Sequence, residues 1–122
     1  VLGTIPANVQ VEAWVPQRDV LPHAAALVCH GGSGTMLGAL AAAIPMVIIP
    51  LGADQPDNAR RVAAAGAGLD LPAPDAPALR AAIERVLADT ELRRGALRIA
   101  EEMASMASME SAVAVLVAMS KG

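Results

Sequence analysis

Apolar and polar residues alternate near the start of the chain, where Val9, Val11 and Ala13 are separated by Gln10 and Glu12. A period of two predicts a strand with one covered face. The alternation is lost in Trp14-Val15-Pro16-Gln17-Arg18-Asp19, and Pro16 ends regular pairing, so a loop is expected there. Asp19 is placed to cap a short turn through Leu21. Ala26–Cys29 is continuously apolar and predicts a buried strand.

After a glycine-rich turn, an alanine-rich stretch predicts a helix that Ser33 or Thr35 starts and that runs to about Ala43. Met46-Val47-Ile48-Ile49-Pro50 is short and wholly apolar, as a strand in a parallel sheet covered on both faces would be. Asp54-Gln55-Pro56-Asp57-Asn58 opens a further helix, with Gly66 and Gly68 as stop residues. Leu69-Asp70-Leu71 predicts a small strand, which Pro72 and Pro74 break. Asp75 then caps a helix in which Leu79, Ile83, Val86 and Leu87 fall at helical spacing. Asp89 starts another, with Leu92, Ala96, Ile99, Met103 and Met106 inward, and Ser108 to Met119 forms a last one. The predicted order is β-β-α-β-α-β-α-α-α, with connections long enough for crossovers. This describes an α/β fold, a Rossmann-like parallel sheet flanked by helices. One domain spans residues 1–122, without internal repeats.

Composition narrows the possible cores and partners. The chain is 55% hydrophobic yet has no Phe or Tyr and one Trp, so Ala, Val, Leu, Ile and Met must build the core. A net charge of −3 provides no dense basic face and excludes nucleic acid as a partner. No apolar stretch approaches the roughly 20 residues of a membrane span, and no charged n-region followed by a cleavage site marks a signal peptide in this stretch. The single cysteine, Cys29, excludes an internal disulfide and fits a cytoplasmic protein. In an apolar strand it reads as a small core residue rather than a nucleophile. The opening Val1-Leu2-Gly3-Thr4-Ile5-Pro6 reads as the tail of an earlier segment, so a piece of a longer protein is expected.

His30-Gly31-Gly32-Ser33-Gly34-Thr35 carries the clearest chemistry. A strand running through a glycine turn into a helix leaves unpaired N–H groups pointing one way, with the helix dipole behind them. Such a junction binds phosphate, and glycines let it approach the backbone closely. The other reading is a tight turn whose glycines only relieve crowding. Neither common phosphate fingerprint fits. G-x-G-x-x-G started at Gly32 meets Leu37 in its third glycine position, and the only lysine is Lys121, far from the loop. Two further loops belong to the same sheet edge, Trp14–Gln17 and Asp54–Gln55. Trp14 suits stacking on a nucleobase, or else anchors its loop on the sheet rim. Asp54 offers paired acceptors for neighbouring hydroxyls, or else caps the helix after it.

Three motifs, Trp14-Val15-Pro16-Gln17, His30 to Thr35 and Pro50-Leu51-Gly52-Ala53-Asp54-Gln55-Pro56-Asp57-Asn58-Ala59, closely resemble the C-terminal donor-binding domain of GT-B, family 1 glycosyltransferases. The similarity is greatest to bacterial enzymes that glycosylate antibiotics and other natural products, and it covers about Asn8 to the C-terminus. The resemblance implies an inverting transfer of a deoxysugar from a nucleoside diphosphate sugar to a small-molecule acceptor. Trp14 would stack on the base, and the Val15 backbone with Gln17 would contact base or ribose. His30, Gly32, Ser33, Gly34 and Thr35 would hold the diphosphate, and Asp54 with Gln55 the sugar hydroxyls. His30 and the helix entrance would stabilise the departing diphosphate. No His/Cys/Asp cluster has metal-ligand spacing, so neither a metal nor a cofactor is expected. The general base and acceptor pocket would lie in an N-terminal acceptor domain, so no catalytic base is assigned here and the chain alone is expected to be inactive.

Relatives using uridine diphosphate sugars commonly carry a Glu eight residues after the loop histidine, on the ribose hydroxyls. Gly38 stands there in this chain, which implies a dTDP-sugar. Two other GT-B activities, a 2-epimerase and a lipid-linked sugar transferase, share a similar loop but usually keep an acidic residue for the ribose. A non-catalytic nucleotide-sugar-binding partner domain is the alternative of a different class. His23, Arg60-Arg61, Arg93-Arg94 and Glu101-Glu102 read as surface, and Met103, Met106 and Met109 as helix packing.

Overall fold

The computed structural model describes the backbone of residues 4–121 and the side chains of residues 4–106. A short helix α1 (Gln17–Val20) continues into a 3₁₀ turn, Leu21–His23, and then into strand β1 (Leu27–Cys29). Helix α2 (Ser33–Ala41), β2 (Met46–Ile48), α3 (Gln55–Ala64), β3 (Gly68–Asp70), α4 (Ala76–Ala88) and α5 (Thr90–Lys121) follow. The three strands form a parallel sheet in the order β1-β2-β3. Val47 pairs with Val28 on one side and with Leu69 on the other.

The central strand is buried throughout, as its unbroken apolar run predicts. Its side chains alternate between two cores. Met46 and Ile48 face Leu40, Ile44, Ala59, Val62 and Ala96, whereas Val47 faces Ala82, Val86 and Leu92. Small residues let the layers approach closely. Gly95 in α5 lies so near the Gly66 carbonyl that a Cβ there would strike the backbone. The capping predicted for α4 is present, with Asp75 Oδ1 accepting from Ala78 N at 2.8 Å.

Several expectations are corrected. Val9–Ala13 forms no strand, and Val9 and Val11 remain exposed. Gln10 and Glu12 do lie on one side, joined by a hydrogen bond of 2.6 Å, but alternation makes a strand only where a ladder accepts it, and nothing among the described residues pairs with this segment. β1 is therefore an edge strand, with Val28 exposed rather than buried. Asp19 lies inside α1 and caps nothing; Pro16 holds the N-cap position. Leu87 and Met106 point outward, because the apolar stripes of α4 and α5 are narrower than their sequence spacing suggests. The two C-terminal helices are one. α5 runs unbroken from Thr90 to Lys121, and no Gly or Pro interrupts it between Ala96 and Lys121. The side chain of Met109 lies outside the described residues.

Candidate functional site

The loops leaving β1 and β2 stand together at the carboxyl edge of the sheet, where open α/β sheets place their ligands. Gly31 begins the first loop in the left-handed region, with φ +90°, and a Cβ there would lie 2.8 Å from Ile48 Cγ2. Only glycine is unstrained in that position. The His30 ring folds back over Gly32, where a Cβ would come within 3.0 Å of Nε2.

α2 starts at Ser33, with Gly32 as its N-cap residue and no side-chain cap. The N–H groups of Gly32, Ser33, Gly34 and Thr35 donate to no protein acceptor among the described residues. Four open donors thus stand at the positive end of a nine-residue helix. Gly34 is exposed, and a Cβ there would meet nothing within 4 Å. Packing among the described residues gives no reason for glycine at this first-turn position.

Two pairs of the predicted site residues touch. Gln17 Nε2 donates to Thr35 Oγ1 at 3.2 Å, which ties α1 and the Trp14–Gln17 loop to the cradle. Ser33 Oγ donates to Asp54 Oδ2 at 3.4 Å. Asp54 holds the N-cap position of α3 but has helical backbone angles and makes no capping hydrogen bond. The capping reading therefore fails, since a side-chain cap needs an extended backbone at that residue. Gln55 Oε1 accepts from Leu51 N at 2.8 Å and Gly52 N at 3.1 Å, holding the second loop closed. Trp14 is 78% exposed, so it does not anchor its loop by packing on the sheet rim. Val15 is also exposed.

Sequence reasoning missed two participants. Asn58 is buried, and its Nδ2 donates to Gly31 O at 2.9 Å. It sits four residues after Asp54, on the inner face of α3 with Ala59 and Val62. A polar residue in an otherwise apolar stripe is the signal that could have found it. Arg18 shares with Gln17, Leu21 and Gly38 a cavity of about 410 Å³ between α1 and α2. A larger cavity, about 860 Å³, surrounds β3 and the start of α5 and includes none of the loop residues above. Cys29 is half-buried, and burial raises its thiol pKa, partly opposed by the Gly31 N–H directed at the sulfur. It packs against the core, as expected of a small core residue. His23, Arg60, Arg61, Arg93, Arg94, Glu101 and Glu102 are exposed, and Arg60 pairs with Asp57.

Residues 1–119 match the family described as "Erythromycin biosynthesis protein CIII-like, C-terminal domain". Among curated proteins, the elloramycin glycosyltransferase ElmGT of Streptomyces olivaceus is 44% identical over 105 residues, covering 86% of this chain and 26% of the relative. The 3-alpha-mycarosylerythronolide B desosaminyl transferase of Saccharopolyspora erythraea is 37% identical over 116 residues, covering 93% and 28%. The crystal structure of the glycosyltransferase VinC in complex with dTDP superposes with a TM-score of 0.78 at 36% identity, covering 82% of this chain and 26% of VinC.

Proposed function

The chain belongs to the EryCIII-like C-terminal domain family of antibiotic glycosyltransferases, and on that premise we propose that it binds the nucleoside diphosphate sugar for glycosylation of a natural-product acceptor. Its parallel sheet and flanking helices match the C-terminal domains of GT-B glycosyltransferases. The chain spans 26% and 28% of the two curated relatives described above. The reading therefore includes an N-terminal acceptor domain that supplies the acceptor pocket and the general base.

The observation that carries this reading is the row of four open N–H groups at the start of α2, beside a glycine, Gly34, whose missing Cβ would meet nothing among the described residues. A diphosphate fits both features, since it takes several donors and needs close backbone approach. His30 stands over Gly32 with its ring exposed and adds a further donor. As the sugar–phosphate bond breaks, negative charge grows on the leaving oxygen, and fixed donors stabilise it without reorganisation. The proposed chemistry needs no metal: an acceptor hydroxyl, deprotonated by the base of the other domain, attacks the anomeric carbon with inversion. Trp14 supplies an exposed ring for the base, while Val15 and Gln17 flank it.

Asp54 suits the sugar end. A carboxylate beside an anion cradle is unfavourable unless donors engage it, and the hydroxyls of a sugar are such donors. Gln55 retains its amide N–H groups for the same task while its oxygen closes the loop. Gly38 presents no carboxylate to a ribose 2′-hydroxyl, and VinC was crystallised with dTDP. Both favour a dTDP-linked donor.

Calorimetric titration of the chain with dTDP and UDP tests the reading. Saturable binding is expected, tighter for dTDP, and His30→Ala should weaken it by about tenfold, the value of one hydrogen bond to a charged group. Equal affinities in parent and variant would refute the assignment of His30.

A further inference from the structure

We propose that Asn58 is a positioning residue for the diphosphate cradle: by holding the Gly31 carbonyl inward it turns the Gly32 N–H outward, toward the ligand. The inference rests on the reading of the His30–Thr35 loop as the diphosphate site. Asn58 is the only buried polar or charged residue among those described. Burying an amide is costly unless it is hydrogen-bonded, and here Nδ2 donates to Gly31 O at 2.9 Å. The bond joins the inner face of α3 to the point where the loop leaves β1.

The consequence follows from peptide geometry. No peptide bond in the described chain is cis, and in a planar trans peptide the C=O and the following N–H point in opposite directions. Fixing Gly31 O against α3 therefore aims Gly32 N–H away from α3. That N–H has no acceptor among the described residues and stands first in the row of open donors. With a glycine on each side, this peptide unit is among the most easily rotated in the loop. Asn58 holds the open Gly32 donor in the orientation that a preorganised anion site requires, although it touches no ligand itself.

The variant Asn58→Leu keeps the side-chain size and removes the amide. Titrations with dTDP and with thymidine, which lacks phosphate, compare it with the parent, and thermal melting reports its fold. The expected result is a loss of about tenfold or more in dTDP affinity, the worth of ~1.4 kcal/mol of lost alignment, with thymidine binding as in the parent. Unchanged dTDP affinity in the folded variant, or equal losses for both ligands, overturns the inference. Should the variant not fold, amide spectra of the parent decide. dTDP must shift the Gly32 resonance, and a Gly32 amide that stays still while Ser33 and Gly34 move overturns the proposal. If the parent fails to bind dTDP, the site reading falls and the inference with it. If His30→Ala loses dTDP but Asn58→Leu does not, only the inference falls.

Discussion

Ser33 opens α2, Asp54 precedes α3, and the two meet at the sheet edge, with Ser33 Oγ donating to Asp54 Oδ2 at 3.4 Å. The contact puts a carboxylate at the margin of a helix entrance whose N–H groups are open. Replacing Asp54 by Asn removes repulsion toward a diphosphate and weakens acceptance from sugar hydroxyls. Asp54→Asn is expected to bind plain dTDP as well as the parent or slightly better. On the proposed function, once joined to the proposed acceptor domain, it should raise KM for a dTDP-sugar by about tenfold, the worth of one charge-assisted hydrogen bond. Loss of plain dTDP binding would contradict the sugar-contact role.

Gly38 lines the cavity between α1 and α2, and a Cβ there would meet only Leu21 Cδ1, at an ordinary 3.5 Å. A longer side chain can therefore enter without backbone movement. Gly38→Glu should move the preference from dTDP toward UDP by about tenfold, since a carboxylate gains the 2′-hydroxyl of ribose as a donor. Competition titration of the two nucleotides measures the ratio. An unaltered ratio in a folded variant would remove Gly38 from the specificity argument.

Gly95→Ala tests the packing of α5. Helix propensity alone favours Ala by roughly 1 kcal/mol. The added Cβ, however, points into the Gly66 carbonyl, which is backbone and cannot swing aside. Overpacking of this kind costs about 1–3 kcal/mol. The variant should melt at a lower temperature than the parent, opposite to the propensity expectation.

Cys29 gives the chain a pH dependence of known sign. Its thiol pKa is raised in the folded protein by burial, so the unfolded chain loses its thiol proton first as pH rises. The stabilising difference is full below the unfolded thiol value, about 8.5, and is lost as pH climbs through the folded value. Denaturant midpoints should fall more steeply on the alkaline side for the parent than for Cys29→Ala. Alkylation at neutral pH should likewise be slower in the folded than in the unfolded protein.

Much of the fold was legible because its signals are local. The short apolar run Met46–Ile48, lying between Pro45 and Pro50, reads as a doubly covered strand, and it is buried throughout. Asp75 before Ala76 caps its helix through a contact spanning three residues. The alternation of Val9 to Ala13 misled, because a strand needs a neighbour and the segment carries no information about whether one is present. The break placed before Ser108 misled because a serine is tolerated inside a helix, and α5 runs on through Ser105 and Ser108.

The sequence by itself determined which residues make up the proposed site: a glycine turn between a strand and a helix, a lone tryptophan, and an Asp-Gln pair opening the next helix. Local backbone preference and side-chain chemistry suffice for that. Only the tertiary structure decided how these pieces meet. It turned Asp54 from a helix cap toward Ser33, joined Gln17 to Thr35, and placed Asn58 behind Gly31. Those contacts span 18 to 27 residues, and they form because burial of β2 between its two cores draws the strand ends, and the loops they carry, to one edge.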